Sequence, residues 1–344
     1  ELDPLTGVIS GTPADQTPGA LHTITAENAG GQARATLAVA VGAALPPSFV
    51  SLRDGFQAVA IVTAPAVDGV AKLALAPDGR LFFIEVGTGR VRVHDTLLGR
   101  TSGAYLDLAA TTIDGTAVTL STGSHRGLIG LCLDPDFPNT GHLYVMLSVE
   151  GSTGVDARNV ILRFTDVPGA AGDVSDDSAT AQAVVLDGLP IAPTNNGGAL
   201  AFDPSGAFLF ASVGDAEDSA NAQMGVTTGV SGSLGGKILR MVPTTPASVP
   251  PSNASGTLEW ARGLRNSYGM TFHPAAGGLF AADNEGAEGG TGFSMPDELN
   301  FIAESKNYEW GATPGSIPGA DVGFTIWTST NLTVTPTALA WHTG

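Results

Sequence analysis

What the chain has little of narrows its class first. It contains one cysteine, Cys132, so neither an internal disulfide nor a cysteine-based zinc site is open to it. Cys132 lies in the apolar run Gly130-Leu-Cys-Leu133 and reads as a small buried hydrophobe. Charged residues make up 14% of 344, against about 25% in an ordinary soluble protein. Positive charge is the scarcer sign: 15 lysines and arginines face 33 aspartates and glutamates. The net charge of −18 argues against nucleic acid or an anionic membrane as the main partner. No apolar run is long enough to span a bilayer. The six histidines form no HExxH or other close metal-ligand pair, and no GxSxG, P-loop or dinucleotide fingerprint stands in a suitable context. Amphipathic helical periods are missing as well, which argues against a doubly wound α/β fold. What is present is glycine, 46 residues, roughly twice the usual share, with much threonine and valine. That mixture predicts short strands joined by turns.

Residues 1–44 differ from the rest. Leu21-His-Thr-Ile-Thr-Ala-Glu27 and Ala35-Thr-Leu-Ala-Val-Ala-Val41 are β-rich runs, and Asn28-Ala-Gly-Gly31 between them reads as a hairpin turn. With the upstream Leu5-Thr-Gly-Val-Ile-Ser-Gly-Thr-Pro13, this segment resembles the second half of an Ig-like bacterial surface module. Half a sandwich cannot bury its own apolar face, so it is expected to lean on a neighbour. Residues 45–49 read as a linker. The chain begins at Glu1, and upstream sequence, including any leader, is expected to be missing. Acidity, few lysines and no disulfide fit a periplasmic or secreted, cell-surface bacterial protein.

From about residue 50 to 344 one plan repeats: an apolar strand, a proline turn, a second apolar strand. It occurs in Leu73-Ala-Leu-Ala-Pro-Asp-Gly-Arg-Leu-Phe-Phe83, in Leu131-Cys-Leu-Asp-Pro-Asp-Phe137 with Gly141-His-Leu-Tyr-Val145, in Leu200-Ala-Phe-Asp-Pro-Ser-Gly-Ala-Phe-Leu-Phe210, and in Met270-Thr-Phe-His-Pro-Ala-Ala-Gly-Gly-Leu-Phe280. Pro77, Pro135, Pro204 and Pro274 recur at about 60–70 residues. Ala338-Leu-Ala-Trp341 reads as the start of another unit. Several strands per unit without an intervening helix predict radial β-sheets, an all-β propeller. About five blades are expected here, the last one truncated at Gly344.

Propellers hold ligands on the loops at one end of the channel. The most unusual loop is Glu259-Trp-Ala-Arg-Gly-Leu-Arg-Asn-Ser-Tyr-Gly-Met270, with two arginines three residues apart in a chain poor in cations. Arginine gives multi-donor grip on carboxylates, so Arg262, Arg265 and Asn266 are candidates to line a cavity for an anionic or polyhydroxylated ligand. Salt bridges to nearby acids would also account for both arginines. The acidic loop Asp283-Asn-Glu-Gly-Ala-Glu288 has carboxylate and carbonyl oxygens suited to calcium, without the EF-hand spacing; a solvated acidic turn is the plainer alternative.

Five stretches in order carry a more specific resemblance: Arg126-Gly-Leu-Ile-Gly-Leu-Cys-Leu-Asp-Pro-Asp-Phe137; Asn196-Gly-Gly-Ala-Leu-Ala-Phe-Asp-Pro-Ser-Gly206 with Val213-Gly-Asp215; Asn221-Ala-Gln223 with Gly236-Lys-Ile-Leu-Arg240; Gly263-Leu-Arg-Asn-Ser-Tyr-Gly-Met270; and Asp297-Glu-Leu-Asn-Phe-Ile302 with Lys306-Asn-Tyr-Glu-Trp-Gly311. The chain resembles the soluble quinoprotein glucose/sorbosone dehydrogenases, including the aldose sugar dehydrogenases. The resemblance implies a six-bladed propeller holding pyrroloquinoline quinone (PQQ) with a calcium ion, and oxidation of a sugar's anomeric hydroxyl to a lactone. It implies that Arg265 steadies substrate and quinone, that Asn266 and Asn196 belong to the cofactor site, and that Gln223 lies near the substrate pocket. Gly286 and Ala287 would offer backbone carbonyls to calcium, with Glu285 in the same loop. An electron acceptor is implied as a further partner.

One departure bears on catalysis. The family's general base is a histidine directly before the Asn-Gly-Gly turn, and that position is Asn195 here. Asparagine takes no proton at neutral pH, and losing a general base typically costs about 10²–10⁴-fold in rate. His125 could substitute only if the fold brought it near, and His273 reads as structural. The family's later lysine and arginine that grip the quinone fall beyond Gly344. The sequence therefore also admits a non-catalytic propeller that binds carbohydrate or protein.

Overall fold

The computed structural model describes residues 17–28, 31–41, 61–62 and 69–341, apart from 153–155, 170–173, 175–176, 229, 288–293, 314 and 330–334. The linker expected at 45–49 and the front of the Ig-like segment lie outside these residues. Of the N-terminal segment, the expected hairpin is described: Thr17–Asn28 pairs antiparallel with Gly31–Val41.

Four antiparallel sheets of the same plan follow. Blade 1 contains Val70–Leu75, Arg80–Glu85 and Arg90–Asp95, with the short strands Arg100–Thr101 and Leu106–Asp107 at its rim. Blade 2 contains Leu128–Leu133, His142–Val149, Arg158–Val167 and Ser178–Leu189. Blade 3 contains Gly197–Phe202, Leu209–Val213, Lys237–Met241 and Glu259–Arg262. Blade 4 contains Ser267–Phe272, Leu279–Asp283, Glu298–Ile302 and Phe324–Thr328. The expected fifth start at 338–341 forms no strand in the described residues. Among the described residues, helix is confined to single turns at Phe137–Thr140, Ser219–Gln223 and Ser231–Leu234, and no described helix is long and apolar enough to cross a membrane.

The proline turns form for one local reason. The residue before each proline, or just after it, carries a side-chain acceptor for the turn's free amides. Asp78 accepts from Arg80 N (3.0 Å), Asp134 from Asp136 N (2.9 Å) and Asp203 from Phe208 N (2.8 Å). In blade 4 the acceptor is His273 Nδ1, taken by Ala275 N and Ala276 N at 3.1 and 3.0 Å. His273 is therefore a turn residue, as its sequence position suggests.

Strand alternation builds the packing between blades, because successive side chains point to opposite faces. In the second strand of blade 2, Leu143, Val145 and Leu147 enter a core with Phe82, Ile84 and Val91 of blade 1. Tyr144 and Met146, between them in sequence, enter a second core with Leu209, Ala211 and Leu239 of blade 3. Phe210 then faces a third core with Met270, Leu279, Ala281 and Ile302 of blade 4. Each sheet is thus buried on both faces wherever it has neighbours, which is why the strands read as near-continuous apolar runs. The innermost strands of blades 2 and 3 approach closely. A Cβ on Gly130 would stand 2.5 Å from Gly198 O, and one on Gly198 would stand 2.6 Å from Ile129 O. Only glycine permits that approach.

Candidate functional site

In an antiparallel blade the start of the innermost strand and the end of the second strand lie at the same end of the sheet. The loops there converge on a cavity of about 320 Å³. Val86 follows the second strand of blade 1, and His125 precedes the first strand of blade 2. Asn196 and Gly197 open blade 3, Asn266 and Tyr268 open blade 4, and Asn284 follows blade 4's second strand; all line the cavity. A larger cavity of about 440 Å³ lies between the outer parts of blades 2 and 3. Its one charged lining residue, Asp187, is already paired with Arg158 at 2.5 Å, so no charged group there is left to orient a ligand. The smaller cavity at the loop end is the candidate site.

The loops of blades 3 and 4 are sewn together behind this cavity. Asp215 N donates to Arg265 O (2.8 Å), Asn284 N to Asn266 O (3.1 Å), and Gly197 N to the Asn266 side-chain oxygen (2.9 Å). Asn195, Asn266, Arg265 and the Glu285 loop therefore share one corner of the molecule.

Asn195 occupies the left-handed region, φ 55°, which asparagine tolerates better than most residues. It is buried, and its amide donates to Asp215 Oδ1 at 3.0 Å. Asp215 is 1% exposed; its other oxygen accepts from Trp310 Nε1 at 2.7 Å. Burial pushes the Asp215 carboxyl up to about 6, outweighing the bonds from Trp310 and Asn195 and the charge of Arg265.

Asn196 lines the cavity but is bound on every side. Its oxygen accepts from Asn159 Nδ2 and Ala192 N, each at 3.1 Å, and its nitrogen donates to Ala192 O (2.9 Å) and His125 O (3.3 Å). Gln223 stands one layer behind the site and does not line the cavity. It exchanges amide bonds with Asn307 at 3.1 and 2.7 Å and donates to Trp310 O at 2.7 Å, joining blade 3 to the loop after blade 4's third strand.

The two arginines separate. Arg262 Nε pairs with Glu259 at 2.6 Å, three residues back on the same strand. This is the salt-bridge alternative, and Arg262 leaves the list of cavity residues. Arg265 instead reaches forward: its guanidinium donates to Asn284 O (3.1 Å) and Glu285 O (2.6 Å) and lies 5.3 Å from the Trp310 ring centre. Its backbone amide and that of Asn266 donate to Asp283 at 3.0 and 2.8 Å, and Ser267 Oγ does so at 3.1 Å.

Seven buried side-chain polar atoms lack a hydrogen-bond partner among the described residues, and four sit at this corner: Arg265 Nε, Asn284 Oδ1 and both carboxyl oxygens of Glu285. Buried polar atoms are rarely left so. Glu285 is 2% exposed; burial first, then the charges of Asp283 and Glu298, raise its pKa well above the ordinary carboxylate range. Asp283 can bridge to it only through a shared proton. A cation at Glu285 would relieve that repulsion, and the oxygen donors suit a hard ion. Gly286 follows directly, at φ 111°. Among the described residues no three His, Cys, Asp or Glu side chains are grouped to hold an ion by themselves, so carbonyls or the ligand itself would have to complete its shell.

Asp215, Asp283 and Trp310 hold the loops of the site; the sequence marks Asp283 only within the acidic loop, and Asp215 and Trp310 only within longer motifs, with no anchoring role for any of them. A signal was available: each aspartate stands at the end of the second strand of its repeat, Asp283 as its last residue and Asp215 two residues beyond it, in Ala281-Ala-Asp283 and Val213-Gly-Asp215.

Four radial antiparallel sheets among the described residues define an all-β, propeller-like fold, with a loop-lined cavity at the strand ends. Residues 68–323 match the family model for Glucose / Sorbosone dehydrogenase, and with that match spanning most of the chain, the protein belongs to this family. Among solved structures it is similar to an oxidoreductase of Thermus thermophilus assigned as a glucose dehydrogenase, at 26% identity, with 78% of this chain and 72% of that one covered and a TM-score of 0.61. It is similar in fold to the PQQ-bound aldose sugar dehydrogenase of Streptomyces coelicolor, at 24% identity, covering 76% and 69%, TM-score 0.60. It is likewise similar to the soluble aldose sugar dehydrogenase of Escherichia coli in its apo form, at 22% identity, covering 71% and 63%, TM-score 0.54. No curated protein matches the sequence.

Proposed function

We propose that the protein oxidises the anomeric hydroxyl of an aldose sugar to a lactone with PQQ as hydride acceptor and calcium beside it. The observation that carries this is the unmet polar corner: Arg265 Nε, Asn284 Oδ1 and the Glu285 carboxyl oxygens, all buried, of which Asn284 lines the cavity and Arg265 and Glu285 stand behind it. A tricarboxylate quinone with a divalent cation supplies both kinds of partner, acceptors for an arginine and positive charge for a glutamate. When bound, the quinone would supply a two-electron oxidant. The chain's own residues would do the rest. Arg265 would hold a carboxylate, and Asn266 and Asn284 would offer amide contacts. Glu285, with the carbonyls of Gly286 and Ala287, would hold calcium. Asn196 would keep the loop of blade 3 in place. Gln223 would support the Trp310 wall and act on substrate only through it.

The same reading makes the four sheets part of a six-bladed ring and the hairpin at 17–41 part of an Ig-like module, with the propeller domain from residue 50 onward. It places the protein in the periplasm or at the cell surface, with a separate electron acceptor. The family membership and the match to the Thermus glucose dehydrogenase support it. A second reading, a propeller that binds carbohydrate or protein without turnover, is favoured by Asn195 and its bond to Asp215. Reconstitution with PQQ and calcium, followed by dye-linked oxidation of a panel of aldoses, separates them. Dye reduction that requires both additives is expected. A protein that acquires no quinone absorbance after dialysis would leave the binding module as the answer.

A further inference from the structure

The site as described has an oxidant's cradle and no base at position 195. The sugar hydroxyl must still lose its proton. Among the residues lining the cavity, two side chains carry a group able to take up or give a proton, His125 and Tyr268; the rest are amides, hydroxyls, glycine and hydrocarbon. Burial raises the Tyr268 phenol, which removes it as a proton acceptor at neutral pH. Asp215 is shut off behind Asn195 and Trp310. Imidazole is the side-chain type that exchanges protons near neutrality.

The fold brings His125 to this place by backbone bonds to the very loop that carries position 195. His125 N donates to Pro193 O at 2.9 Å, and Asn196 Nδ2 donates to His125 O at 3.3 Å. Residues Gly123 and Arg126 pair as an isolated bridge around it, and Ser124 is at φ 51°, so the turn is tight, with Ser124 and His125 at its tip both lining the cavity. The neighbouring Arg126 guanidinium turns back to Gly123 O and Thr122 O, at 3.5 and 3.3 Å, and leaves the mouth to the imidazole, which is solvent-exposed.

We propose that His125, from the loop before blade 2, is the proton acceptor for the sugar hydroxyl in this protein, in place of the base that position 195 does not supply. This rests on the quinone dehydrogenase reading. The anomeric O–H proton would pass to an imidazole nitrogen, and the anomeric C–H would leave as hydride, for which the bound quinone would supply the two-electron oxidant. The C–O bond becomes the lactone carbonyl, and the imidazolium returns its proton to water.

The test uses the full chain with PQQ and calcium, measuring quinone binding by absorbance after dialysis alongside kcat for dye-linked aldose oxidation. His125→Gln is expected to lower kcat by about 10²–10⁴-fold with quinone binding unchanged. In His125→Gly, added imidazole should restore part of the lost turnover, which a structural role would not permit. Asn195→His in the His125→Gln background should also recover activity, because Asp215 Oδ1, 3.0 Å from the present amide, is placed to accept an imidazole N–H. His125→Gln retaining kcat within about threefold of the parent overturns the proposal and leaves the dehydrogenase standing. A parent protein that binds the quinone yet turns nothing over also overturns it. Loss of both binding and turnover without imidazole rescue makes His125 structural. A parent that binds no quinone removes the dehydrogenase reading and this proposal together.

Discussion

Blades 3 and 4 solve the same problem with the same residue and reach different ends. In each, an aspartate at the end of the second strand anchors the loop entering the first. In blade 4, Asp283 takes the backbone amides of Arg265 and Asn266 and the Ser267 hydroxyl. Because only main chain and a short hydroxyl are bound, the Arg265 guanidinium stays available for Asn284 O and Glu285 O. In blade 3, Asp215 takes the backbone amide of Glu217 but spends its other bonds on side chains, the amide of Asn195 and the indole of Trp310. Asn195, which the resemblance sets at the base position, is consumed in holding its own loop. An anchor that binds backbone leaves the loop's side chains free for ligand, and an anchor that binds a side chain decides what that side chain can do.

The comparison breaks first at Asp283. Asp283→Ala leaves two buried amides and a hydroxyl unpaired, at roughly 1–3 kcal/mol for each orphaned group. A total loss of about 3–5 kcal/mol is expected in denaturant unfolding, and a loss under about 1 kcal/mol would show that the blade 4 loop does not depend on it. Arg265→Lys comes next. It keeps the charge but not the fork, so quinone affinity should fall at least about tenfold, roughly 1.4 kcal/mol, while the midpoint of unfolding moves little. Equal quinone binding by the two proteins would separate Arg265 from the cofactor.

Gln223→Leu should cost about 1–2 kcal/mol of stability through the unpaired Asn307 amide and Trp310 carbonyl. It should leave the order of preference among sugars unchanged; a changed order would put Gln223 back in the substrate pocket.

The smallest effect expected is a pH slope. Asp215 is raised from its ordinary value to about 6, so between about pH 4 and 6 the folded chain binds more protons than the unfolded one. Its contribution to stability is whole below that window and is lost as pH rises through it. Lys237, fully buried with its ammonium on Asn221 O and Gly235 O at 2.8 Å, is lowered to about 8 by burial. Its contribution runs the other way, with stability regained from about pH 8 to 10.5 as the unfolded chain gives up its proton last. Thermal melts of Asp215→Asn should lack the acid-side slope and keep the alkaline one. A slope that persists in the variant assigns the acid titration to other carboxylates.

The repeat was readable because each unit makes its turn from neighbours in sequence: a proline, an acceptor and a glycine within a few residues, flanked by apolar runs. Asp78, Asp203 and His273 all work within five residues of themselves. The loops that form the mouth were readable for the same reason. The partners were not. Arg262 and Arg265 look alike in sequence, yet one is paired along its own strand and the other reaches across to the next loop, because a β-strand aims successive residues at opposite faces and a turn between them resets that aim. Gln223 and Asn307 lie 84 residues apart and meet as a pair. Asn195 is singled out in the sequence only by resemblance, and its bond to Asp215 depends on two strands of blade 3 ending side by side.

By itself, then, the order of amino acids determined an all-β repeat, its strand and turn positions, its acidic character and the set of loops from which a site would be drawn. Which side chains in those loops face the cavity, which are spent on holding their neighbours, and that His125 stands at the mouth were decided only when four sheets packed face to face. Hydrophobic alternation acts over a few residues and is written locally. Hydrogen bonds between loops depend on distances set by every intervening blade.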